Sequence, residues 1–264
     1  MPIARRAVAV AFLPVLLVAV SGCDIVTADL KARETAEWRK SYQLSPGGRV
    51  EISNVNGRID VQPSAGNTVE IVAVKSARAG TSEAAKEALD RIEILDTSSG
   101  ELVKVETKQP RGGQFMRMVN TEVRYTVKVP AAADVDFSTV NGGIEVSGLT
   151  GRIKTETTNG GIVGRGIGGP IEATTTNGGV EVEVTRIADQ GVKLGCTNGG
   201  ITLRLPQDAR ATITASVTNG GIRTGGLNLD KSESSRRRLE ARLNGGGPPV
   251  RLEGTNGGIS IAGR

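Results

Sequence analysis

Apolar residues recur along this chain in columns keyed to a repeated Asn-Gly pair. Aligned on Asn56, Asn141, Asn159, Asn177, Asn198, Asn219 and Asn256, the position six residues earlier holds Val50, Val135, Ile153, Ile171, Val192, Ile213 and Val250. Four residues earlier stand Ile52, Phe137, Thr155, Ala173, Leu194, Ala215 and Leu252, and three residues later Ile59, Ile144, Ile162, Val180, Ile201, Ile222 and Ile259. Polar residues such as Asp136, Ser138, Lys154, Glu156, Arg251 and Glu253 interleave with them. That alternation has the period of two of a strand with one buried face. Each unit therefore reads as two short strands meeting at an Asn-Gly corner, which in six of the seven copies is Asn-Gly-Gly followed by Ile or Val.

The central five asparagines are spaced by 18, 18, 21 and 21 residues and the last step is 37, close to two units. Equal steps with the same residue type in each column are what stacked, in-register units require, so the pattern predicts a mainly β chain folded as a parallel β-solenoid. Asn and Gly suit its corners because both tolerate positive φ. Asn-Gly is also the strongest two-residue hairpin signal, which keeps an antiparallel β-meander of Asn-Gly hairpins as the alternative. A single unit buries too few side chains to offset the cost of ordering it, so the array requires neighbours and capped ends.

Composition changes outside the array. We divide the chain into residues 1–22, a signal segment; 23–46, an anchor and linker or cap; 47–130, an N-terminal β region; and 131–264, the repeat array with an insertion at about 227–249. Within the second region, Val69 to Ala77, Leu102 to Thr107 and Thr121 to Val129 alternate like strands. Thr81 or Ser82 is placed to cap one helix running to about Leu95, with Ala84, Ala85, Ala88, Leu89, Ile92 and Leu95 on one face. Gly164 to Gly169 reads as a turn, and Val250 to Ile261 as a last unit that closes the array beyond a projecting insertion.

The N-terminus sets the expected location. Arg5 and Arg6 precede an apolar run from Ala7 to Val20 that is short for a membrane span and suits a secretory signal. Val20-Ser21-Gly22-Cys23 resembles the lipobox of bacterial lipoproteins, which implies cleavage before Cys23 and acylation of that cysteine. The expectation is a protein lipid-anchored on the periplasmic or extracytoplasmic face of a bacterial cell envelope. Loss of the signal lowers the formal charge from +5 to +3, which is no nucleic-acid signature. Arg236-Arg237-Arg238, the one dense basic cluster, reads as a solvated turn, and the capped array as a monomer.

Candidate chemistry is sparse. The chain has no histidine, which removes Ser-His-Asp and Cys-His systems and His-based metal sites. With Cys23 acylated, Cys196 has no disulfide partner and reads as a small buried filler. Glu181 and Glu183 lie two apart on one strand, a spacing a carboxylate pair of a glycan-active enzyme could use; scattered outward acids argue instead for a solubilising face. We therefore expect no enzyme, no catalytic residues, no cofactor and no metal. Trp38 and Tyr42 read as covering the open end of the first unit. The segment Gln109 to Asn120 sets Phe115, Met116 and Met118 among Arg111 and Arg117, a candidate partner contact.

The Val140-Asn141-Gly142-Gly143-Ile144-Glu145-Val146 type of repeat, the helix flanked by strands, the lead-in Tyr125-Thr126-Val127-Lys128-Val129-Pro130 and the insertion Arg236-Arg237-Arg238-Leu239-Glu240 resemble the bacterial putative-adhesin family of unknown function, over about Gly47 to Gly263. The resemblance implies a β-rich, solenoid-like envelope protein, often lipid-anchored, with no established catalytic residues to carry over. A frequent form of the family has an acidic residue after Asn-Gly; here a second glycine stands there. The leading expectation is a non-catalytic surface for adhesion or scaffolding that meets an unknown envelope protein or polymer. An envelope-stress sensor or regulator and a polysaccharide-active enzyme are the alternatives.

Overall fold

The computed structural model describes residues 30–109 and 119–264. The signal segment, Cys23 and the partner-contact residues Arg111, Phe115, Met116, Arg117 and Met118 lie outside the described residues. The described chain is mainly β, with one helix, and its strands form a 10-stranded sheet, here sheet A, and an 11-stranded sheet, sheet B. The strand before each Asn-Gly corner lies in sheet B and the strand after it in sheet A. The corners are therefore not hairpins, and the antiparallel meander is excluded for the repeats.

Equivalent strands pair parallel and in register. Ile153–Asn159 sets Ile153 against Val135 and Ile171, Thr155 against Phe137 and Ala173, and Asn159 against Asn141 and Asn177. Ile162–Ile167 pairs in the same way with Ile144–Ser147 and Val180–Val184. The apolar columns meet between the sheets in one continuous core of Val, Ile, Leu and Ala, in which Tyr125 and Phe137 are the largest fully buried side chains. Of the columns read from sequence, Ile222 alone is only partly buried, because Ile222–Gly225 is the edge strand of sheet A. Gly164 to Ile167 is strand with a bulge rather than turn; Gly168 and Gly169 make the bend.

The final repeat is out of sequence order. Pro249–Asn256 lies between Val192–Asn198 and Ala211–Asn219 in sheet B, and Ile259–Gly263 lies between Ile201–Leu205 and Ile222–Gly225 in sheet A. It fills a slot and does not close the array. The closing element is the insertion: Leu229–Ser234 and Arg238–Leu243 form an antiparallel hairpin that adds two strands to sheet B beside Ala211–Asn219. Parallel neighbours need long connections and tight hairpins make antiparallel ones, so an insertion short enough to turn back on itself finishes the sheet antiparallel.

The other end is antiparallel too. Ala32–Gln43, Thr68–Ala79 and Val119–Pro130 extend sheet A, while Glu93–Ser99 and Leu102–Lys108 extend sheet B. The helix is Ser82–Asp90, shorter than the sequence suggests: Thr81 caps it through Ala84 N, and Glu93–Ser99 is an edge strand that leaves Leu95 exposed. The apolar spacing that carries a helix to Leu95 is also met by a turn at Arg91 followed by a strand from Glu93. Ala85, Ala88 and Leu89 pack the helix across the three antiparallel strands of sheet A. Trp38 and Tyr42 pack half-buried against the core, and the two sheet edges are tied where Asp96 accepts from Lys40 Nζ at 2.6 Å and Tyr42 OH at 3.0 Å. The Lys40 hydrogen bond, more than burial opposes it, holds the Asp96 carboxyl below the usual carboxylate range; burial first, then Asp96, pushes the Tyr42 phenol well up.

A carboxylate with a depressed folded pKa adds stability above its unfolded pKa and loses it as pH falls through the folded value. The stability gap between the native chain and Asp96→Asn, read by urea unfolding, is thus expected to be largest at neutral pH and to close on acidification below the ordinary carboxylate range. A gap independent of pH would refute the tie. Thr155 is 1% exposed and its hydroxyl has no partner. Thr155→Val is expected to stabilise the chain by about 1 kcal/mol, since removing an unsatisfied buried hydroxyl relieves its desolvation cost.

Candidate functional site

What stacks at the corners is the asparagine side chain itself. Asn141, Asn159, Asn177, Asn198 and Asn256 each donate Nδ2 to the Oδ1 of the preceding asparagine in the stack at 2.7–2.8 Å, and Asn219 donates to Asn256 at 2.9 Å. Asn56 ends the series by donating to Gln109 Oε1 at 2.7 Å. All amides point the same way. No corner asparagine has positive φ; among the described non-glycine residues only Asn244 does. Positive φ is therefore not what asparagine supplies here: parallel in-register pairing places identical side chains one strand apart, where a primary amide can both donate and accept.

The glycine after each asparagine carries the backbone constraint. At Gly178, φ is 146° and an added Cβ would lie 2.0 Å from the Gly160 carbonyl oxygen. That close approach presents each corner carbonyl to the next unit. Thr157 and Thr175 donate their hydroxyls to Gly142 O and Gly160 O, both at 2.8 Å, and Thr139 donates to Gly57 O at 3.2 Å. Cys196 uses the same position: its thiol is 3.0 Å from Gly178 O, and burial pushes its pKa up, so the proton it donates is retained. It is buried as the sequence suggests and is also a working member of the corner. Asn54 does the equivalent for Val123 O at 2.8 Å.

One residue before the ladder, on the outer face of sheet B, Thr158, Thr176, Thr197, Thr255 and Thr218 stand exposed on five neighbouring strands. At the usual strand spacing their hydroxyls repeat about every 4.8 Å. A shallow concavity of about 440 Å³ lies around Gly195 among Thr176, Thr197, Thr218 and Thr255, with Glu156 and Glu253 in its lining. The register of this threonine face depends on which strands become neighbours.

Glu181 and Glu183 do not converge on a shared point. Each forms an ion pair across sheet A, Glu181 with Arg204 and Glu183 with Arg264. The same device recurs where Glu145 meets Arg58 and Arg165, Asp136 meets Lys154, and Glu172 meets Lys193, whose hydrogen bond holds the Glu172 carboxyl below its ordinary range. Among the described residues no group of three or more His, Cys, Asp or Glu is placed to hold a metal ion, and no helix is long and apolar enough to cross a membrane. Arg236 and Arg237 lie in the hairpin turn next to the Asn219 corner, and Arg238 begins the following strand: Arg236 O accepts from Ile222 N and Arg237 O from Val217 N.

Asn177→Ala removes two ladder bonds and Asn219→Ala one. At about 0.5–1.5 kcal/mol per bond, the interior substitution is expected to cost roughly twice as much in chemical denaturation. Equal costs would show that the ladder adds nothing beyond the local corner.

The family described as Toastrack DUF4097 matches residues 40–262. Among solved structures, a "putative cell adhesion protein" from Clostridium sporogenes is similar over 87% of this chain and 100% of its own, at 11% identity and TM-score 0.45. A "putative adhesin" from Bacteroides fragilis covers 87% of this chain and 97% of its own at 9% identity and TM-score 0.42. A "putative lipid binding protein" from Parabacteroides distasonis covers 90% and 98% at 12% identity and TM-score 0.31. No curated protein matches the chain.

Proposed function

We propose that this chain, which belongs to the Toastrack DUF4097 family, is a non-catalytic, lipid-anchored β-solenoid of the bacterial cell envelope that presents one periodic polar face to a repetitive envelope polymer. The observation that carries the reading is the aligned column of Thr158, Thr176, Thr197, Thr255 and Thr218 beside the asparagine ladder. A flat array of hydroxyls and amides at one spacing complements a ligand that repeats, such as a glycan strand, because each added register adds hydrogen bonds without new side-chain ordering. Acylation at Cys23 would supply attachment. Ion pairing of Glu181 and Glu183 by neighbouring arginines supports a solubilising role for them.

Two measurements test the two halves. Cys23→Ala is expected to move the protein from the membrane to the soluble fraction of lysed cells; retention in the membrane would remove the anchor. Purified protein lacking residues 1–23 is expected to co-sediment with isolated insoluble envelope polymer. Thr176→Arg with Thr197→Arg should abolish this while circular dichroism stays unchanged. Undiminished sedimentation of that double variant would sink the threonine face as the contact.

A further inference from the structure

The asparagine ladder has one open end, and that end differs chemically from every other corner. At the six other corners the glycine that follows the asparagine donates its N–H to the backbone carbonyl of the next asparagine: Gly57 to Asn141, Gly142 to Asn159, Gly160 to Asn177, Gly178 to Asn198, Gly199 to Asn256 and Gly257 to Asn219, all at 2.8–2.9 Å. In each of them the asparagine Oδ1 also accepts from the next side chain. At Asn219 neither bond exists among the described residues. Gly220 N–H has no acceptor, Asn219 Oδ1 has no donor, and Asn219 is exposed. The hairpin turn satisfies the residues on either side, Val217 N through Arg237 O and Ile222 N through Arg236 O, and leaves the corner between them bare.

An Asn-Gly pair carries its own reaction. The backbone nitrogen of the glycine attacks Cγ of the asparagine, the Cγ–Nδ2 bond breaks, and ammonia leaves with the proton from the glycine nitrogen. Water then opens the succinimide at either carbonyl to give aspartate or isoaspartate. The attack needs a free glycine nitrogen and a side chain able to swing onto it. At an interior corner three hydrogen bonds must open first: the one from the glycine N–H and the two of the side-chain amide. At Asn219 only the bond from Nδ2 to Asn256 Oδ1 must open. We propose that Asn219-Gly220 is a site of self-modification, a corner that deamidates in the folded protein while the ladder shields the other six. The remaining Asn-Gly pair, Asn244-Gly245, has its side-chain amide held by two backbone carbonyls, Gln207 O and Ala209 O, each at 2.8 Å. Conversion at Asn219 puts a carboxylate beside the turn of Arg236 and Arg237 at the end of the stack. The isoaspartate form also lengthens the main chain at the carbonyl that Gly257 N holds.

The experiment is peptide mass spectrometry of full-length mature protein aged in mildly alkaline buffer, scoring –NH2 to –OH conversion and isoaspartate at every Asn-Gly pair. A parallel sample is aged in denaturant. Two fewer hydrogen bonds to open predicts conversion at Asn219 at least about tenfold faster than at Asn141, Asn159, Asn177 or Asn198 in the folded protein. In denaturant that advantage should vanish. Equal or slower conversion at Asn219 in the folded state would overturn the proposal. So would an Asn219 advantage that persists in denaturant, since local sequence would then account for it.

Discussion

Parallel, in-register pairing sets each residue against its own equivalent one strand away, and the remaining features of this structure are answers to that condition. An apolar column answers it by packing like on like. An amide column answers it by donating one way and accepting the other, which Asn does and Asp cannot at neutral pH. A glycine answers it by letting the adjacent carbonyl come within a distance that no Cβ tolerates, as at Gly178.

Charge is the hard case, because a column of one sign would repel itself along its whole length. The outward column five residues before each asparagine runs Glu51, Asp136, Lys154, Glu172, Lys193, Arg251 and Thr214 in spatial order. Signs alternate through its middle, and the pairs Asp136 with Lys154 and Glu172 with Lys193 follow. Acids that look scattered along the sequence are ordered once the strands are neighbours. Such exposed pairs contribute little individually; their service is to avoid repulsion.

The columns, the alternation and the corner positions were legible in the sequence because each is local and repeats. Three features were not. The function of the corner asparagines depends on a neighbour 18 to 85 residues away in the chain. The helix end at Asp90 turns on a competition between helical spacing and an edge strand, and both patterns fit Ile92 to Leu95. The placement of the last repeat is long-range topology, signalled only by the doubled interval between Asn219 and Asn256. The threonine face sits between these cases: its residues are visible in sequence, while its order on the surface follows from that topology.

Strand Pro249–Asn256 fills the gap between Val192–Asn198 and Ala211–Asn219, and this governs the order of assembly. A regular array can zip up one unit at a time behind a growing chain, each unit settling on the last. Here the sixth unit has no bed to settle on until the seventh is available. The distal unit, met on its outer side by the hairpin strand Arg238–Leu243, must wait for residues 249–263 before two slots in two sheets can be filled together. Placement of residues 249–263 and completion of both sheets are thereby coupled.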